Sequence, residues 1–160
     1  SYTSILSRKM NREFINLGFS GNGRLDYEIA RLMAEKDASC FILDNMANCT
    51  APMLDRLEGF IKILREKHPE TPILLLGNAR YTFTRFNTVS AKEVAEKDNR
   101  LSEIYNKLRR TDKNLYYMSA QDLIGNDEEA VDGTHFTDLG FIRMADAIYP
   151  LLDKIVRKTE

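Results

Sequence analysis

The run ILLL at residues 73–76, which follows Pro72 and precedes Gly77, constrains the fold more than any other feature of this sequence. Consecutive aliphatic residues bounded by turn-forming residues are typical of a strand covered on both faces. Residues 39–44 (SCFILD) form a second such run, and residues 114–118 are a third candidate strand. Because strands of this kind belong to parallel sheets flanked by helices, the sequence predicts an α/β fold.

Helical segments alternate with these strands. Apolar residues recur at helical spacing in five segments, which are residues 2–11, 25–36, 52–68, 90–110 and 138–157. A further strand is predicted at residues 13–18 (EFINLG). Since parallel strands need crossover connections, this order predicts a doubly wound sheet whose ligands bind beyond the carboxyl ends of the strands. With 160 residues and no internal repeat or linker, we expect residues 1–160 to form a single domain.

The composition argues against several classes of partner. The sequence has 23 Lys and Arg against 24 Asp and Glu, a net charge of −1, so we expect no nucleic-acid partner. No apolar run approaches the length of a transmembrane helix, and we expect no membrane partner. Cys40 and Cys49 do not suggest a disulfide framework, and the two histidines lie far apart, so we expect no metal and no cofactor.

The segment DGTHFTDLG at residues 132–140 is the strongest candidate for chemistry. Asp132 and His135 lie three residues apart on a glycine-containing turn before a predicted helix. Histidine is the side chain best suited to proton transfer near neutral pH, and a carboxylate can orient its ring. The alternative is a turn in which Asp132 or Thr137 only caps the following helix.

The glycine-rich segment GFSGNG at residues 18–23 is the second unusual feature. Ser20 suggests a nucleophile at a strand-to-helix turn, but Asn22 stands where the G-x-S-x-G motif requires glycine. The backbone N–H groups of such a turn can instead stabilise an oxyanion. Asn48, which follows the strand at 39–44, could donate a side-chain N–H to the same place. A flexible connector and an ordinary turn asparagine are the alternatives.

Together these segments resemble the SGNH (GDSL-type) hydrolases. The similarity rests on INLGFSGNGRLD, FILDNMAN, PETPILLL and DGTHFTDLGF, spans nearly the whole chain, and is closest to the bacterial branch whose second block is NLGFSGNG. It implies a flavodoxin-like three-layer α/β/α fold and an esterase or acylhydrolase activity. It further implies a substrate that is a carbohydrate ester or another small ester, with acetyl as the expected acyl group.

The resemblance also assigns roles to residues. His135 would be the general base, Asp132 the carboxylate that orients it, and Gly21 and Asn48 the oxyanion-hole donors. The family's nucleophilic serine follows its first, central strand, and no such block lies within residues 1–160. We therefore expect the domain to be N-terminally incomplete, to lack its first strand, and to receive its serine from upstream of residue 1. Ser20 remains the alternative nucleophile.

The segment 78–88 follows the strand at 73–76, and we expect Arg80 and Tyr81 there to contact substrate. A surface loop with its own aromatic cluster is the alternative. A rival from another class is a non-catalytic α/β module that binds a carbohydrate or a protein. The resemblance suggests a bacterial, exported or periplasmic protein, and the sequence predicts no oligomeric state.

Overall fold

Three short parallel strands form the centre of the fold. The computed structural model describes residues 1–79, 81–123 and 127–158. Its strands are β1 (Phe41–Leu43), β2 (Ile73–Leu76) and β3 (Leu115–Met118), in the order β1-β2-β3. Phe41 aligns with Ile73, and Ile73 aligns with Leu115. All four residues of β2 are buried, as the aliphatic run predicts for the middle strand.

Helices connect the strands and cover both faces of the sheet. They are α1 (Tyr2–Met10), α2 (Tyr27–Met33), α3 (Leu57–Lys67), α4 (Thr88–Leu108) and α5 (Asp138–Arg157). One core packs α2, α3 and α4 against side chains such as Leu43 and Leu75, and the other packs α1 and α5 against Leu74 and Leu76. Successive β2 residues thus point into opposite cores. The predicted three-layer α/β/α fold is confirmed.

Two of the predicted helices begin differently in the structure. Leu25 has a positive φ of 59°, which a right-handed helix does not allow, so α2 begins at Tyr27 rather than at residue 25. The helix predicted from residue 52 begins as a 3₁₀ helix, Ala51–Arg56, and becomes α-helical only at Leu57. Short 3₁₀ turns of this kind are common at helix N-termini.

The strand predicted at residues 13–18 is wrong. Residues 12–19 have no regular secondary structure and pair with no strand among the described residues. Ile15 is 62% exposed, and Leu17 and Phe19 are 41% and 45% exposed. The alternation of apolar residues satisfies the pattern of a strand, but a strand also needs a neighbour to bond its backbone groups.

A slot separates residues 12–19 from β1. The slot has a volume of about 660 Å³, and its walls include that segment, the outer edge of β1, and Leu152 and Val156 of α5. At its end the hydroxyl of Tyr2 donates a hydrogen bond to Oδ2 of Asp44 over 2.9 Å. Desolvation raises the pKa of the Asp44 carboxyl, and the hydrogen bond from Tyr2 opposes this effect. Among the described residues, the edge of β1 that does not pair with β2 faces this largely apolar slot.

Candidate functional site

A tight turn before α5 places the side chains of Asp132 and His135 against each other. Oδ2 of Asp132 lies 2.8 Å from Nδ1 of His135. Oδ1 of Asp132 accepts the backbone N–H groups of His135 at 2.9 Å and of Thr134 at 3.0 Å. Gly133 has φ of 85°, which turns the chain back on itself and brings the two side chains together. The carboxylate therefore fixes both the backbone turn and the imidazole ring.

These hydrogen bonds keep Asp132 ionised and select the tautomer of the neutral His135 ring. The backbone N–H of His135, then its ring, then the N–H of Thr134 hold the pKa of Asp132 well below its usual range. An ionised carboxylate only accepts hydrogen bonds, so Nδ1 of His135 carries the proton and donates it. In the neutral ring Nε2 is then an acceptor, and it makes no hydrogen bond within the described residues. The His135 side chain is 81% exposed. The exposed ring is therefore held by Asp132 at Nδ1 and presents Nε2 to solvent.

Neighbouring segments hold this turn from both sides. The N–H of Thr82 donates to the carbonyl of Gly133 at 3.0 Å, and residues 130 and 136 form a backbone bridge. Oγ1 of Thr137 accepts the N–H of Gly140, so Thr137 caps α5. Thr137 is therefore the cap that one interpretation predicts, and Asp132 contacts the histidine, whose catalytic role stays a prediction.

Gly140 allows the turn to approach α5 closely. A Cβ at this position would lie 2.2 Å from the backbone carbonyl oxygen of Glu129, a distance that no side chain tolerates. Glu129 is buried, and its carboxylate forms an ion pair with Arg143 of α5 at 2.7 Å. Because both ends of the contact are fixed, α5 determines where the Asp132–His135 turn lies.

The second group of predicted residues lies in two adjoining loops. The loop at 20–24 contains Gly21, with φ of 69°, and its backbone N–H makes no hydrogen bond within the described residues. Asn48 lies in the turn after β1, and its Nδ2 is 3.6 Å from where a Cβ on Gly23 would be. The thiol of Cys49 donates to the carbonyl of Gly23 at 3.7 Å. The structure thus brings the Gly21 loop and the Asn48 turn together.

Other predicted residues have different positions. Ser20 is exposed in the same loop, and no hydrogen bond joins it to His135 in the part of the chain that the structure describes. Tyr81 stacks on Phe83 with ring centroids 5.4 Å apart, and its hydroxyl donates to Oδ1 of Asn78 at 3.4 Å. Burial raises the pKa of the Tyr81 hydroxyl. Arg80 lies outside the described residues.

One connection was not predicted from the sequence. Lys97 of α4 donates from Nζ to the carbonyl of Met46 at 2.7 Å and to Oδ1 of Asn78 at 3.3 Å. This ammonium lies between the loops that follow β1 and β2. A series of contacts then runs from the Asn48 turn through Lys97 and Tyr81 to the His135 turn, although no direct hydrogen bond joins His135 to Asn48 within the described residues. A lysine among the many charged residues of a long helix gives no sequence signal of this contact.

The described ranges hold neither a metal-binding cluster nor a membrane-spanning helix. In residues 1–79, 81–123 and 127–158, no group of three His, Cys, Asp or Glu side chains is placed to hold a metal ion. Over the same ranges, no helix combines the length and the apolar character that a membrane crossing requires.

Comparison with known proteins shows the family. The sequence profile of the GDSL-like Lipase/Acylhydrolase family matches residues 1–153. A Bacteroides ovatus protein described as a GDSL-like lipase has a similar structure, with a TM-score of 0.91 and 38% identity over 98% of this chain and 47% of its own. The salicylyl-acyltransferase SsfX3 from a tetracycline biosynthetic pathway has a TM-score of 0.78 at 21% identity, over 97% of this chain and 49% of its own.

The second likeness shows the fold alone, since its identity is low. This chain spans about half the length of both solved structures. No curated protein matches it. The profile match extends over nearly all of the sequence, and the chain belongs to the GDSL-like lipase/acylhydrolase family.

Proposed function

We propose that these residues form most of a serine-type ester hydrolase in which His135 is the general base. The observation that carries the proposal is the set of hydrogen bonds from His135 and Thr134 to Asp132, which presents Nε2 of the ring as a proton acceptor. In the first step a serine Oγ attacks the ester carbonyl carbon while its proton moves to Nε2 of His135. Asp132 stabilises the imidazolium that forms.

The tetrahedral intermediate then needs donors for its oxyanion. We propose the backbone N–H of Gly21 and Nδ2 of Asn48, whose loops are in contact. Collapse of the intermediate breaks the bond to the alcohol, which takes the proton from His135 and leaves. Water next attacks the acyl-serine and gives a proton to His135. The second intermediate then breaks its bond to serine Oγ, which takes that proton back from His135, and the acid is released. Each oxyanion donor of this kind is worth about 10²–10³ in rate.

We propose that the serine comes from upstream of residue 1, on a strand that occupies the slot beside β1. Two observations support this position. The outer edge of β1 faces the slot, and the exposed side chains of Ile15, Leu17 and Phe19 lie along its other wall. An inserted strand would pair with β1 and cover these side chains, so that residues 13–18 would gain the neighbour that a strand requires.

The proposal also names a class of substrate. We propose a short acyl ester of a carbohydrate, with acetyl as the acyl group, because NLGFSGNG resembles the second block of a bacterial branch of the family whose members are often exported. The stacked pair of Tyr81 and Phe83 adjoins the His135 turn through the Thr82–Gly133 hydrogen bond and offers an aromatic wall for a small substrate.

The test is fluorophosphonate labelling and hydrolysis of p-nitrophenyl acetate by two proteins, residues 1–160 alone and the polypeptide extended upstream. The proposal predicts labelling and turnover only in the extended protein, with loss of both in His135→Ala and retention of labelling in Ser20→Ala. Labelling of residues 1–160 that Ser20→Ala abolishes would replace this proposal by the Ser20 nucleophile. A folded extended protein with no turnover and no labelling would favour the non-catalytic binding module.

A further inference from the structure

Lys97 holds together the two loops that follow the first two strands. The residue is half-buried on α4, and its ammonium donates to the carbonyl of Met46 and to Oδ1 of Asn78. Met46 is 1% exposed and Asn78 is 2% exposed, so both acceptors lie in the protein interior. A buried carbonyl without a donor costs free energy, and here a charged donor supplies both bonds.

Met46 lies inside the turn that presents Asn48. The backbone N–H groups of Asn48 and Cys49 both donate to the carbonyl of Asn45, at 3.1 and 3.2 Å. Nδ2 of Asn45 donates to Sγ of Cys49 at 3.3 Å, and the thiol continues to the carbonyl of Gly23. These bonds fix the turn internally and against the glycine loop. Among the described residues, the bond from Lys97 to Met46 is the hydrogen bond that fixes it from α4.

The other acceptor of Lys97 is also held firmly. The backbone N–H of Asn78 donates to Oδ1 of Asp98, the residue after Lys97 on α4, at 3.1 Å. Oδ1 of Asn78 also accepts the Tyr81 hydroxyl. Burial lowers the pKa of Lys97, and the neighbouring Asp98 opposes this effect. The protein therefore retains a partly desolvated cation at this position, where its two hydrogen bonds and the nearby Asp98 carboxylate offset the cost of burial.

We propose that Lys97 is a positioning residue that, through its hydrogen bond to Met46, holds the Asn48 amide at the oxyanion position. The inference rests on the proposed function, because it requires Asn48 to act in the oxyanion hole. It makes a specific statement about coupling: the effect of Lys97 on the reaction passes through Asn48. It distinguishes Lys97 from a lysine that only stabilises the fold, whose loss would not depend on the residue at position 48.

The experiment is a double-mutant cycle in the active, full-length enzyme. Lys97→Met is expected to lower kcat about 10-fold to 100-fold with little change in KM, and Asn48→Ala about 10²-fold to 10³-fold. The double variant is expected to have the kcat of Asn48→Ala alone, because Lys97 then has nothing to position. Lys92→Met, at an exposed position of the same helix, is the matched control and is expected to have wild-type kcat.

Two results would overturn the inference. One is a Lys97→Met enzyme with wild-type kcat, and the other is a double variant in which the two losses multiply. Lys97→Arg, which keeps a cationic donor, is expected to have a kcat between wild type and Lys97→Met. If Lys97→Met does not fold, the same cycle with Lys97→Arg decides between coupling and independence. Wild-type turnover in both His135→Ala and Asn48→Ala would instead refute the proposed function itself, which separates the two failures.

Discussion

Gly133→Ala is the perturbation that most directly tests how the Asp132–His135 turn is built. Gly133 has φ of 85°, where an L-residue pays about 1–2 kcal/mol. A Cβ there would also lie 3.2 Å from Oγ1 of Thr82 and 3.3 Å from Cδ1 of Phe83. Moving these neighbours adds about 1 kcal/mol, the low end for overpacking. The expected loss in the free energy of unfolding is therefore about 2–3 kcal/mol.

Two other glycines separate these contributions. Gly21 has φ of 69°, and no atom lies within 4 Å of the position that a Cβ would take, so Gly21→Ala pays the conformational cost alone, about 1–2 kcal/mol. Gly23 lacks a positive φ, and its Cβ would meet Nδ2 of Asn48 at an ordinary 3.6 Å, so Gly23→Ala is expected to change stability by less than about 0.5 kcal/mol.

The assays are urea unfolding and thermal unfolding of each variant, and hydrogen exchange of the backbone amide of Thr82. For a chain of this size, 2–3 kcal/mol corresponds to a fall in Tm of about 4–12 °C. The N–H of Thr82, which donates to the carbonyl of Gly133, is expected to exchange faster in Gly133→Ala than in Gly21→Ala. Equal stability of Gly133→Ala and Gly23→Ala would refute this account of the turn.

Three single groups give further predictions. Arg65→Met is expected to lower the free energy of unfolding in urea by about 3–5 kcal/mol, because it leaves the mostly buried Asp112 without its bidentate partner. Arg31→Met, at an exposed ion pair, is the control and is expected to lower it by less than about 1 kcal/mol. Burial raises the pKa of the Cys40 thiol to about 12, so a disulfide exchange reagent is expected to modify it at neutral pH far more slowly in the folded chain than after denaturation. Since the pKa of Asp132 is depressed, its stabilising contribution is complete above the usual aspartate pKa and is lost only as the pH falls through the lower folded value. In a carbon NMR titration it is expected to remain ionised around pH 3.9, where an ordinary aspartate is half-protonated.

The sequence predicted those parts of the fold that depend on local pattern. The helix predicted at 138–157 matches α5, because an apolar stripe and a Thr137 cap define it locally. The aliphatic run at 73–76 likewise matches β2. The strand predicted at residues 13–18 is wrong because the pattern of a strand does not indicate whether a neighbouring strand is present to pair with it. The helix start predicted at Leu25 is wrong for a different reason. The backbone conformation of Leu25 depends on the loop before α2, and the hydrophobic pattern does not indicate it.

In the candidate site, too, contacts between residues close in the sequence could be predicted, and contacts between distant residues could not. Asp132 and His135 are three residues apart, so a single turn is enough to bring them together, and the motif could predict their contact. Lys97 and Met46 are 51 residues apart, and Lys97 and Asn78 are 19 apart. Their meeting depends on how α4 packs over the carboxyl ends of β1 and β2. A charged residue on a long helix carries no information about that packing.

The geometry of a parallel sheet ties the proposed nucleophile to the other site residues. A strand inserted beside β1 and parallel to it would end at the same edge as β1, where Asp44 leads into the Asn48 turn. Residues 12–19, on the far side of the slot, lead into the loop that contains Gly21. A residue just past the end of such a strand would therefore lie between the two proposed oxyanion donors. One proposed strand would then account for both the slot and the 81% exposed ring of His135. It would cover the apolar walls of the slot and deliver the group whose proton Nε2 would accept.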